Sequence, residues 1–103
     1  MAKYEIGDVT VDTDKATATW EEALDFHGIH GFISRATLDG WTHERMYLSP
    51  EGQYYLVRWS DWKGVRPTAE FVSRPDAAKW LLFMGHKLPK DLMEFKRVRL
   101  PRP

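Results

Sequence analysis

Residues 41–59 read WTHERMYLSPEGQYYLVRW, and the way this stretch pairs with itself decides the fold. Ser49-Pro50-Glu51-Gly52 places proline at the second position of a turn, where its fixed φ already suits the bend. Glycine follows where a left-handed residue is wanted. A three-residue loop then pairs Ser49 with Gln53, and every pair beyond follows from it. Leu48 faces Tyr54, Met46 faces Leu56 and Glu44 faces Arg58. On the opposite face Tyr47 meets Tyr55, Arg45 meets Val57 and His43 meets Trp59. The first face is an apolar patch closed by an ion pair and suits a core, whereas the second is aromatic with basic edges. A slip of one residue would exchange the partners and dissolve this sorting.

Downstream, Ser60 to Pro67 is a loop carrying Trp62 and Lys63, and Thr68–Val72 resumes strand character. Ser73 and Asp76 form a helix-start signal with Pro75 in the first turn, where its missing N–H costs little. Ala77, Trp80, Leu81 and Met84 make one apolar stripe, and Gly85 ends the helix. Leu82 and Phe83 lie off that stripe and need another cover: the segment Leu88–Phe95, an N-terminal helix, or a second subunit.

Upstream, Tyr4 to Val11 reads as one short strand, with Gly7 a weak point or bulge. Thr19-x-x-Glu22 suits a capping box, and Trp20, Ala23, Leu24 and His27 fall on one helical face, stopped by Gly28. Gly31 to Leu38 reads as a strand turning through Asp39-Gly40 into the strand from Trp41. These readings predict an α+β fold: an antiparallel twisted sheet of three to five strands, with the 73–84 helix packed on one face and short helices near 20–27 and 90–96. Residues 1–95 form one domain, and 96–103 form a basic, proline-containing tail, extended or frayed.

The composition narrows the chemistry. With no cysteine among 103 residues there is no disulfide, thiolate zinc site, iron–sulfur cluster or thiol nucleophile. The first thirty residues hold no apolar signal region, and no run approaches membrane-spanning length, so a cytoplasmic protein without membrane association is expected. Formal charge is balanced but uneven, with five Lys/Arg against eleven Asp/Glu in residues 1–61 and ten against four in residues 62–103. Attraction between the halves of one fold accounts for this; a basic C-terminal patch for an anionic partner is the sharper reading.

Two segments, YLSPEGQYYL and FVSRPDAAKWLLFMGHKLPKDL, resemble a group of uncharacterised small bacterial proteins of the kind carried by plasmids, prophages and genomic islands. The resemblance covers about residues 45–92, leaves residues 1–40 outside, and implies no activity and no functional residues.

Candidate chemistry is sparse. His27 and His30 flank a glycine and lack the intervening glutamate of a helical metalloprotease pair, so no metal is expected. No serine sits in a Gly-x-Ser-x-Gly elbow, and no glycine-rich phosphate loop or dinucleotide fingerprint appears. No catalytic residue and no cofactor is assigned. The candidate binding surface is His43, Arg45, Tyr47, Tyr55, Trp59, Trp62 and Lys63, rings for stacking bases beside cations for phosphates. The same rings suit burial beneath the N-terminal helix as a second layer, which is the favoured reading for most of them. Leu82 and Phe83 form a candidate association surface. Non-catalytic protein–protein association, including self-association, ranks first. Nucleic-acid binding ranks second, and a small-ligand binder or enzyme third.

Overall fold

The computed structural model describes residues 2–95. In chain order it contains β1 (Lys3–Ile6), β2 (Val9–Asp12), β3 (Ala18–Glu21), β4 (Leu24–Phe26), β5 (Phe32–Ser34), β6 (Thr42–Leu48), β7 (Tyr54–Ser60), β8 (Thr68–Val72) and the helix α1 (Arg74–Phe83). Single 3-10 turns occupy Thr13–Lys15 and Gly28–His30, and a six-residue 3-10 helix, Lys90–Phe95, stands where a short last helix was expected. The main sheet runs β3-β6-β7-β8, and two separate hairpins, β1–β2 and β4–β5, attach to it. All strand pairs are antiparallel, as the α+β reading requires. No helix among the described residues is long and apolar enough to cross a membrane.

The β6–β7 hairpin has the register read from its turn, from Leu48↔Tyr54 through Arg45↔Val57 to Thr42↔Ser60. Gly52 takes φ 85°, its N–H bonding the Ser49 carbonyl at 3.0 Å, while the Ser49 N–H meets the Gln53 carbonyl at 2.8 Å. Proline could not have supplied that left-handed residue, and glycine does so without a Cβ penalty.

One sheet face carries α1. Met46 and Tyr54 pack there with Ala77, Ala78, Leu81 and Leu92, with Trp20, Leu56 and Trp80 around them. Ser73 caps the helix by accepting the Asp76 N–H at 3.2 Å, and Pro75 stands in the first turn. At the other end the Gly85 N–H bonds the Leu82 carbonyl and the His86 N–H bonds that of Leu81, a paired closure around a left-handed glycine. The 3-10 helix Lys90–Phe95 lies against α1, with Leu92 wholly buried.

The opposite face is covered as well, but by strands. Val11 of β2 packs with Tyr47, Tyr55 and Val57, and Tyr4 and Ile6 of β1 close over them. Gly7, at φ 61°, is therefore a hairpin turn and not a bulge within one strand. The helix expected near 20–27 is also corrected. Trp20 pairs with Met46 in β3, the edge strand that satisfies the free side of β6. Gly28 left that helix too short to stand on propensity alone, and the open edge of β6 outcompeted it. The strand expected over Gly31–Leu38 shrinks to β5 and pairs with β4, because both sides of β6 are taken by β3 and β7. Asp39 accordingly makes no hairpin turn; its carboxylate accepts the N–H groups of Trp41 and Thr42 at 2.8 and 2.5 Å. The tail expected at 96–103 lies outside the described residues.

Candidate functional site

A chain of carboxylates stitches the β4–β5 arm to the main sheet. Glu22 follows β3 directly, and its buried Oε1 accepts from Ser34 Oγ at 2.6 Å and from the Glu44 N–H at 2.8 Å. Its Oε2 lies 2.6 Å from His43 Nδ1, and His43 Nε2 lies 2.9 Å from Asp61 Oδ2. Beside it, buried Glu44 accepts from the Arg58 guanidinium and, at 3.0 Å, from Trp80 Nε1 of α1. Each carboxylate thus has donors enough to be buried without an uncompensated charge.

This wiring ties the arm to the sheet. The Ser34 hydroxyl donates to Glu22, while both His43 nitrogens face carboxylates, so no imidazole nitrogen remains to take a proton from the serine. No group of three or more His, Asp and Glu side chains among the described residues is disposed to hold a metal ion.

Burial pulls the His43 pKa down, but its bonds to Asp61 and Glu22 outweigh that and raise it above the ordinary 6.5. A raised folded value means the contribution is full below the unfolded pKa and fades as pH climbs through the folded one. Wild type should therefore lose more stability than His43→Phe when pH is raised from 5.5 past the histidine range, checked by urea titration at each pH. Parallel pH profiles for the two proteins would contradict it.

The candidate binding residues do not come together as an open face. Tyr47 and Tyr55 stack at 5.2 Å between ring centroids, beneath the β1–β2 hairpin, and are 8% and 1% exposed. Burial, then the neighbouring Tyr47, Asp12 and Tyr4, push the Tyr55 hydroxyl up to about 12. Trp59 stacks on His43, and the Arg45 guanidinium lies 5.1 Å from its ring centroid. Arg45 Nε stands 2.9 Å from Glu21 Oε1, an ion pair without hydrogen-bond geometry. Trp62 and Lys63 do reach solvent. Leu82 shares a shallow hollow of about 240 Å³ with Lys87, Leu88 and Met93, and Phe83 is partly open at the end of α1.

The open apolar surface lies elsewhere. Phe26 and Phe32 meet edge to face at 5.4 Å across the β4–β5 arm. Phe32, Leu38 and Trp41 then line a hollow of about 300 Å³, and Trp41 meets Trp62 at 5.6 Å. A second hollow of about 370 Å³ continues along Trp59, Trp62, Val65 and Arg66. Phe26, Phe32, Leu38, Trp41 and Trp62 are each more than half exposed. Hydrogen bonds tie the arm to the end of α1. Arg35 clasps both oxygens of Asp25 at 2.8 and 3.2 Å and donates to the Phe83 carbonyl at 3.0 Å, while the Ala23 N–H meets Met84 Sδ at 3.2 Å.

Trp59 and Trp62 apart, none of this surface was among the candidate residues. A signal existed: Leu24 and Phe26 alternate on one side of HGIHG, and Phe32 resumes on the other, a hairpin pattern around a glycine-rich loop. The helical spacing of Trp20, Ala23, Leu24 and His27 masked it. No protein-family model matches the chain, and neither does a curated protein or a solved structure.

Proposed function

We propose that this chain is a non-catalytic association domain that docks a protein surface on the band formed by Phe26, Phe32, Leu38, Trp41 and Trp62. The observation that carries the reading is the continuity of these exposed side chains from the β4–β5 arm onto Trp41 and Trp62 beside it. With more than half of each of its four rings in solvent, the band presents roughly 500 Å² of aromatic surface. Together with Leu38 it stands at the upper end of the patch that a monomeric protein leaves open, the size at which such patches are often functional. Large rings are also the side chains on which interface energy concentrates.

Binding of single-stranded nucleic acid, the second reading, has less support. Its stacking platform, Tyr47 and Tyr55, is covered, and Arg45 is engaged by Glu21 and Trp59. Around the open band Asp39 and Asp61 stand with Lys63 and Arg66, which is a mixed rim and no cationic track. A cytoplasmic setting belongs to the same proposal.

Photo-crosslinking tests the reading. A photoreactive phenylalanine analogue in place of Phe32 or Trp62, in the cells that carry the chain, should yield discrete protein adducts. The same analogue in place of exposed Val9 or Lys79 should yield none. Absence of adducts from the band, or equal yields from all four positions, would overturn it.

A further inference from the structure

We infer that the surface docked on this band is a second copy of the same chain, in a two-fold dimer whose arms lie side by side. In it the Ile29 tip of each arm seats in the partner's hollow between Phe32, Leu38 and Trp41. The inference rests on the association reading and names its occupant.

A two-fold interface uses one patch twice, so that patch must supply both the projection and the recess. This band does. Ile29 stands at the tip of the β4–β5 arm and is 98% exposed. The loop closes around it, the His27 N–H bonding the Gly31 carbonyl at 2.7 Å with Gly28 and Gly31 at φ 61° and 70°. Tip positions of tight loops normally carry polar residues, which find water or backbone partners there. A β-branched apolar side chain in that place gains nothing within its own chain. The recess lies alongside the same arm, about 300 Å³ in volume and open to solvent, with Asp39 and Gly40 in its wall beside the apolar side chains. Its wall includes Leu38, which keeps the left-handed φ of 63° that a leucine rarely adopts and presents a largely exposed side chain.

Charge and area agree. The formal net charge of the whole chain is zero, so two copies bring no net repulsion to each other. The rim carries both signs, Lys63 and Arg66 with Asp39 and Asp61, so a copy of the same patch offers charges of opposite sign to each. The rings together with Leu24, Ile29 and Leu38 approach the roughly 800 Å² per partner of a standard stable interface.

Sedimentation velocity from low micromolar to several hundred micromolar tests this. The mass should climb from that of the 12.1 kDa chain toward twice that value. Ile29→Asp and, separately, Leu38→Asp should weaken dimerisation by about tenfold or more, since each sets a carboxylate against Phe32, Trp41 and the recess's own Asp39. Lys79→Asp, on exposed α1, should leave dimerisation unchanged. Both arm substitutions lie on exposed positions, and unchanged circular dichroism checks that the fold survives. A monomer across the whole range, or a dimer indifferent to both arm substitutions, would overturn the inference. If the chain stays monomeric while the Phe32 position crosslinks to a different protein, the homodimer falls and the association reading stands.

Discussion

Leu81→Ala is expected to destabilise the protein by about 2–5 kcal/mol, the cost of lost burial plus the cavity left behind. Leu81 is wholly buried at the centre of the helix-side core, among Met46, Tyr54, Ala77, Ala78 and Leu92. Two of those neighbours are alanines with nothing to extend into the space. The helix itself is pinned at both ends, by the Ser73 cap and the closure around Gly85, so it cannot settle inward. A domain of this size is stable by only about 5–15 kcal/mol in total, so the substitution removes a large share. Urea titration should show a lower midpoint with an unchanged slope. A loss near zero would mean that α1 packs through a different face.

Glu22→Ala should cost about 3–5 kcal/mol, because the loss is that of a buried charged partner with several dependants. It strands the Ser34 hydroxyl, the Glu44 N–H and His43 Nδ1 together, and a buried donor left unpaired costs about 1–3 kcal/mol. The effect should also be local. Glu22 links the arm to the main sheet through Ser34, so amide exchange across residues 24–34 should accelerate more than across β7. Glu22→Gln, which keeps size and one acceptor oxygen, should lose less. A cost for Glu22→Ala below about 1 kcal/mol would contradict the network, since it would mean that water serves those donors equally well.

The hairpin at residues 41–59 was readable because its turn chemistry and its side-chain alternation demand the same register, and a slip would have violated both. Helix α1 was readable for a similar reason, with Ser73, Pro75 and Gly85 marking its ends independently of its apolar stripe. Residues 1–40 offered no such agreement. Trp20 and Leu24 satisfy a helical spacing, yet Ala18-Thr19-Trp20 also suits a strand, and the choice was made by the unpaired edge of β6. That edge is a tertiary fact with no local signature. The covering of Tyr47 and Tyr55 followed from two-layer packing, but the element doing it, β1–β2, hid behind Gly7 read as a bulge. The aromatic band was lost with the helix read over 20–27, since Phe26 and Phe32 become partners only when 24–34 is a hairpin.

Which aromatic face meets solvent is the question that most directly tests the proposed surface. Photochemically induced nuclear polarisation reports it, since a dissolved dye enhances only the Trp, Tyr and His rings that it can touch. The Ile29→Asp variant should be used, so that the chain is monomeric under the reading given above. Strong signals are expected from Trp41 and Trp62, with Tyr47, Tyr54 and Tyr55 silent. Silent Trp41 and Trp62 with polarised Tyr47 and Tyr55 would contradict the account and return recognition to the basic aromatic face of the sheet.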